Sequence, residues 1–402
     1  MNYLIAVLDT REIKGVLDRI LSKRNGNIKL STGKQGVEVV YHDGHNTWYK
    51  ASLTKGAAVF RIPWTAVVSL EDVKQAVKMA GADGLEIKDA DEKEYLKDYI
   101  MLGNYRVQRY GYDYPEMPAC PVGAEVSRIV IPVKGLQEIS KFTGAGDRYI
   151  NNIVRYDHER GQLIATDACT LAALNPDKLK CSEISARDFD FKVGVPNKVF
   201  GKAESVEIIT WAVDFHLYTQ YSLSGDTPIE VLIEGDTGSY PTWQRLIRSK
   251  EDGIKVELLD DGVKGWAIGL LQTWKQRKFN VVYVVAFGGR LALTPIMQKN
   301  EFTSGVPWYD ETAIGYITGD YQAEEIITQF KIDYLLDSLQ AVADDGQDVT
   351  MYLFKDVSAN GDLVTYRAQL YGSRGFIIIM PKYPDVSQVE ELMQAVERKC
   401  EE

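Results

Sequence analysis

Apolar residues recur along this chain at two spacings, and the exchange between them predicts its elements. Ile13, Val16, Leu17, Ile20 and Leu21 fall three, four, seven and eight residues from the first, the spacing of one helix face. The same kind of stripe returns at Val133, Leu136 and Ile139, and again at Val263, Trp266, Leu270, Leu271 and Trp274. A second helix-like segment follows each time: PWTAVVSLEDVKQAVKMAG (63–81), PNKVFGKA (196–203) and KIDYLLDSLQAVA (331–343). Behind each comes a strand-like run, LEIKD, VEIIT and VTMYLF, and each stretch closes where an aromatic or apolar residue meets proline, at Tyr114-Pro115, Tyr240-Pro241 and Met380-Pro381. The order therefore occurs three times at a spacing of roughly 125–140 residues, a domain-sized repeat. YRVQRYG (105–111) is echoed by YRAQLYG (366–372).

Proline, glycine and charge cluster at MPACPVGAE (117–125) and RSKEDG (248–253), between patterned segments. These linkers predict domains at 1–121, 122–250 and 251–383, each an α+β unit with two helices packed on antiparallel sheet. Residues 384–402 form an extension in which Val389, Leu392, Met393 and Val396 make one helical stripe, with Asp385 or Ser387 as cap. A fully buried large apolar side chain is worth roughly 1.5–3 kcal/mol, so each striped face holds its helix to a sheet more strongly than helix propensity does.

Composition narrows the function. The 402 residues are 45% hydrophobic and 26% charged, typical of a water-soluble globular chain, and no run approaches the ~18 apolar residues of a membrane helix. The segment MNYLIAVLDTREIK carries no basic leader, so export is not expected, and the four cysteines lie far apart without a CxxC pair. A reducing cytoplasm fits this usage. A net charge of −11 excludes a protein that coats nucleic acid by bulk basicity; any contact with DNA needs a segregated basic face.

No catalytic constellation stands out. His42 and His45 are close but lie in the turn-like HDGHN without a Cys or carboxylate cluster at zinc spacing. Asp260-Asp261 and Asp89-x-Asp91 could seat magnesium, though acidic pairs in polar segments are usually solvated. The GAG at 144–146 lacks the third glycine and preceding strand of a dinucleotide site, and there is no P-loop or nucleophile elbow. A hydrolase or nuclease using the Asp clusters is the weakest reading; no cofactor or metal is expected.

Certain strings are more specific. LIATDACTLAAL (163–174) follows YINNIV, SYPTWQRLI (239–247) closes the second copy, and FKIDYLLDSL (330–339) and GFIIIMPKY (375–383) mark the third. In order and spacing these resemble the bacterial beta sliding clamp, the ring-shaped processivity subunit of DNA polymerase III, over nearly all of residues 1–383. The resemblance implies a three-domain DNA clamp fold and a homodimer closed head to tail around double-stranded DNA, with helices lining the hole. It implies no enzymatic activity. Partners would be the encircled duplex, a replicative DNA polymerase and a clamp loader, with no membrane contact. A clamp-fold interaction module of a phage or mobile element that does not encircle DNA is the alternative.

On the same resemblance, partner peptides would enter an apolar pocket at Ile150, Thr166, Leu171, Pro241, Arg245, Leu246, Ile378, Met380 and Pro381. DNA would be faced by Lys14, Lys23, Arg24, Lys141, Arg148, Tyr149, Lys275 and Lys278, alongside Arg19, Lys134 and Arg277; on composition alone these are ordinary solvated helix faces. Ring closure would use an edge strand with Tyr105 and Val107 against a surface near Trp274. The chain departs from the family at Ala168, Cys169 and Thr170, where Gly-His-Arg is usual, and at Lys382, where an apolar residue is common. A changed peptide preference is expected there, and the extension at 384–402 is expected to narrow or extend the pocket or to cover a sheet edge.

Overall fold

The predicted order of first helix, second helix and strand is present in all three copies of the computed structural model, which describes residues 3–21, 24–34, 36–54, 57–80, 84–89, 98–144, 152–258, 263–287, 290–296, 315–318, 326–357 and 364–382. The helices are α1 (Thr10–Val16), α2 (Leu70–Met79), α3 (Val133–Ser140), α4 (Asn197–Phe200), α5 (Val263–Gln276) and α6 (Ile332–Ala341). Asp9 caps α1 by accepting the N–H groups of Arg11 and Glu12, and a π-turn at Leu17–Leu21 extends the helix. Ile13, Val16, Leu17, Ile20 and Leu21 are all buried, as their spacing requires.

Two expected helices differ in detail. The segment expected to be helical from Pro63 is a strand at Trp64–Ser69, and α2 begins only at Leu70, with the Ser69 hydroxyl accepting the Asp72 N–H. Thr65, Val67 and Val68 are β-branched and fill a pleated surface better than a helix, while Ser69 supplies the helix start. In α5 the buried stripe is Lys264, Ala267, Leu271 and Trp274, and Trp266 turns outward at 43% exposure. The three-then-four spacing from 264 to 274 leaves Trp266 about 100° away from Ala267. The Lys264 ammonium is buried because the carbonyl oxygens of Asp344 and Gln347 accept from it.

The chain divides into two compact units, each drawn from separated stretches: Met1–Gln137 with Cys181–Gly238, and Glu138–Lys180 with Ser239–Glu402. In the first, thirteen strands form one hydrogen-bonded series. Its fourth and fifth strands are joined by a five-pair antiparallel ladder in which Ile229–Asp236 of the second copy meets Thr47–Leu53 of the first, Ile229 opposite Ala51 and Ile233 opposite Thr47. The linker at Met117 and Cys120 packs on the buried Trp48, Trp211 and Leu232. Tyr114 ties it down, its phenol donating to the Asn27 carbonyl at 2.9 Å and accepting the His42 N–H at 2.8 Å. Burial pushes the Tyr114 phenol up to about 12.

In the second unit the corresponding ladder pairs Thr170–Leu174 with Gly375–Ile379, Leu171 opposite Ile378. All five residues of TLAAL are buried, which explains a continuous apolar run in place of alternation. Next to Gly375–Ile379 come Val364–Gly372, Val349–Val357 and Ile254–Leu258. A four-stranded sheet orders Gly315–Thr318, Arg290–Ile296, Val281–Phe287 and Ile326–Lys331. The echoed strings YRVQRYG and YRAQLYG are both strands. Among the described residues no helix is long and apolar enough to cross a membrane.

Gly375 sits at φ 145° with the Ala173 carbonyl oxygen 2.1 Å from where a Cβ would stand. Gly375→Ala is expected to cost at least ~2 kcal/mol of stability, read as a lower urea midpoint. Tyr114 favours the fold while protonated; its contribution is complete below the ordinary phenol range and is lost as pH rises toward 12. Thermal melts between pH 9 and 12 should therefore fall more steeply for the native chain than for Tyr114→Phe, which at neutral pH loses about 1–2 kcal/mol through two broken hydrogen bonds.

Candidate functional site

Three segments meet at one end of the Thr170–Leu174 ladder, all within the second unit. The first is the hairpin turn Asp167-Ala168-Cys169 between Gln162–Thr166 and Thr170–Leu174. Asp167 Oδ1 accepts the N–H groups of Cys169 at 2.9 Å and Thr170 at 2.6 Å, and the Thr170 hydroxyl at 2.9 Å. The Thr166 hydroxyl donates to the Thr170 carbonyl at 2.6 Å and accepts the Ala168 N–H at 3.1 Å. Thr-Asp thus builds the turn, and Ala168 takes the positive φ of 72° that the turn imposes.

The closing strand supplies the second segment. The Met380 N–H donates to the Cys169 carbonyl and the Lys382 N–H to the Gln329 carbonyl, both at 2.8 Å. Tyr334 of α6 reaches the same turn: burial first, then the neighbouring Asp167 and Cys169, raise its phenol above the ordinary range. The Lys331 ammonium donates to the Tyr334 hydroxyl at 3.1 Å.

Tyr240-Pro241 leads into the third segment, a 3-10 turn at Trp243–Leu246. Trp243 is 2% exposed and rests against Phe376, ring centroids 5.9 Å apart, over Ile164, Leu171, Ala173 and Ile378. Tyr240, Ile247, Tyr371 and Met380 pack at the margin of this cluster. Polar contacts fix the turn: Gln244 Nε2 donates to Asp157 Oδ2 at 3.4 Å, the Tyr240 hydroxyl to the Ile164 carbonyl at 3.3 Å, and Gln369 Nε2 to the Leu246 carbonyl at 3.4 Å.

The positions expected to receive a partner peptide sort by burial into a floor and a lip. Thr166, Leu171 and Ile378 are buried beneath; Met380 and Pro381 are half-buried; Pro241, Arg245 and Leu246 are exposed. Ile150 lies outside the described residues. Such a surface can take a short segment that buries a few apolar side chains, with the Arg245 guanidinium at the rim. Trp243, Phe376, Tyr371 and Tyr240, absent from the expected set, carry most of the aromatic mass. For Tyr240 and Trp243 the signal is the run of large residues around proline in SYPTW, which reads as easily as ordinary core.

The expected DNA-facing cations differ in their freedom. In the first unit Lys14 and Lys134 are exposed, but the Arg24 guanidinium lies 4.0 Å from the Tyr49 ring centroid and 5.3 Å from that of Tyr41. Arg19 donates to the Val199 carbonyl at 2.7 Å, and burial lowers its pKa. In the second unit Arg277 and Lys278 are exposed, whereas Lys141 pairs with Asp337 at 3.0 Å and Lys275 with Asp333 at 2.6 Å. The hydrogen bond to Asp333 holds the Lys275 ammonium above its usual range. Lys23, Arg148 and Tyr149 lie outside the described residues, as does the extension at 384–402. Of the ring-closure set, Tyr105 is half-buried, and Val107 and Trp274 are buried at 1% and 2% exposure, so within the chain the Trp274 indole packs inward. His45 belongs to a turn in which Asp43 Oδ1 accepts three N–H groups, and Asp89 already pairs with Arg61 and the Trp64 indole.

No protein-family model matches the chain, and no curated protein matches it in sequence. Solved structures do match. The DNA polymerase III beta subunit of Pseudomonas aeruginosa superposes with a TM-score of 0.64 at 14% identity, covering 95% of this chain and 100% of that one. The DNA polymerase sliding clamp of Bacillus subtilis gives 0.65 at 15% identity with 95% and 100% coverage. The beta clamp of Helicobacter pylori, solved with a DNA ligase peptide bound, gives 0.65 at 12% identity with 94% and 99% coverage. The chain has the α+β fold of the bacterial DNA polymerase III beta sliding clamps over almost its whole length.

Proposed function

We propose that this protein is a DNA sliding clamp, a non-catalytic processivity factor of the cytoplasm that closes head to tail with a second copy around duplex DNA. In this reading the domains are 1–121, 122–250 and 251–383, and the lip at Pro241, Leu246, Met380 and Pro381 tethers a replicative polymerase and receives the clamp loader. One observation carries it most: a fold shared with sliding clamps end to end, with Thr166-Asp167, Tyr240-Pro241 and Met380-Pro381 gathered at one apolar surface. The peptide-bound Helicobacter clamp supports a peptide as the kind of ligand.

Encirclement also fits the charge. A ring held by topology needs little affinity for phosphate, so a chain of net charge −11 can hold DNA without a strongly basic surface. Exposed pairs such as Lys275 with Asp333 are worth about 0–1 kcal/mol, so a passing phosphate can exchange for the carboxylate at small cost. The paired state of Lys141 and Lys275 and the aromatic seat of Arg24 are also what favours the alternative, an interaction module of this fold that does not surround DNA.

Loading onto nicked circular DNA by a clamp loader, followed by linearisation, separates the two. A ring should stay on the circle through a salt wash and run off the linear form; retention on linear DNA, or no retention on either, would count against encirclement. For the lip, Leu246→Ala with Met380→Ala should weaken a fluorescent DNA ligase peptide about tenfold in anisotropy with little change in melting temperature, because both side chains are partly solvent-facing.

A further inference from the structure

The margin of the aromatic cluster carries cations out of keeping with an acidic chain. The Arg160 guanidinium stands 5.2 Å from the Trp243 ring centroid, and the Lys250 ammonium 3.9 Å from that of Tyr371. Arg245 lies on the same 3-10 turn as Trp243, and all three side chains are exposed. Two carboxylates of the same unit, Asp157 and Asp356, are engaged by other groups. Asp157 accepts the Arg160 backbone N–H at 3.0 Å and the Gln244 amide, and Asp356 takes Arg248 at 2.8 Å and Arg367 through both oxygens. Glu159, Glu251 and Asp252 are solvent-exposed neighbours in sequence, and among the described residues none of them forms an ion pair with Arg160, Arg245 or Lys250.

A cation seated on an aromatic face keeps its charge and is held in place by the ring, so it offers a positioned donor at little further loss of side-chain freedom. Resting on the reading of this surface as a peptide site, we propose that its cognate ligand is an acidic peptide. Its apolar residues would cover Leu246, Pro241 and Met380, and flanking Asp or Glu side chains would meet Arg160, Arg245 and Lys250. The apolar lip gives such a ligand its affinity; the cationic margin selects it by charge complementarity.

The test uses the full chain and two fluorescein-labelled peptides with the same leucine and phenylalanine centre, one flanked by glutamates and one by glutamines. Anisotropy at low salt should show the glutamate peptide binding about tenfold tighter. That ratio should fall toward one in raised salt and in Arg160→Gln/Lys250→Gln, whose unchanged melting temperature shows that it is folded. Equal affinities for the two peptides would overturn the acidic preference and leave the peptide site standing. Binding that emerges only after removal of residues 383–402 would assign the surface to the chain's own acidic C-terminal segment and overturn the proposal. Failure of both peptides in both chains would overturn the peptide site as well.

Discussion

The ladder between Thr170–Leu174 and Gly375–Ile379 is the constraint on which the candidate site depends. It joins a strand of the second copy to the closing strand of the third, and its register sets Leu171 opposite Ile378 beneath the Trp243 turn. A slip by one residue would reverse the faces of the whole strand and part the floor of the site from its lip. The small Ala172 and Ala173 and the glycine at 375 allow the backbones to approach, while burial on both faces makes every side chain of the ladder part of the core. The ladder between Ile229–Asp236 and Thr47–Leu53 does the same in the other unit, so repeats separate in sequence are fused through backbone hydrogen bonds.

Electrostatics distinguishes the helices from the site. Asp333 and Asp337 lie one turn apart on α6 and engage Lys275 and Lys141, while Arg19 and Arg24 are committed to a carbonyl and to aromatic rings. The helical surfaces are therefore less basic than their lysine and arginine content implies. Around the Trp243 turn the reverse holds, because Asp157 and Asp356 are absorbed by internal contacts and leave the cations outside.

Much of the fold is legible in the sequence alone. The three helical stripes, the strands behind the second helices and the proline punctuation are local signals, and all three copies carry them. The start of α2 is ambiguous in the sequence because PWTAVVS has helical apolar spacing yet is rich in β-branched residues, and the sheet partner at Asn27–Gly33 decides between them. Trp266 belongs to an apolar stripe yet faces outward, because apolar spacing cannot say which of two overlapping stripes the core selects.

The sequence by itself determined the repeat, its elements and the strings that gather at the site, because periodicity, capping and turn chemistry act over a few residues. Only the tertiary structure decided which of those residues form floor and which form lip, that Trp243 and Phe376 anchor the cluster, and which cations remain available. Most of those outcomes depend on contacts between residues far apart in the chain, such as Trp243 with Phe376 and Lys141 with Asp337, and no local pattern records them.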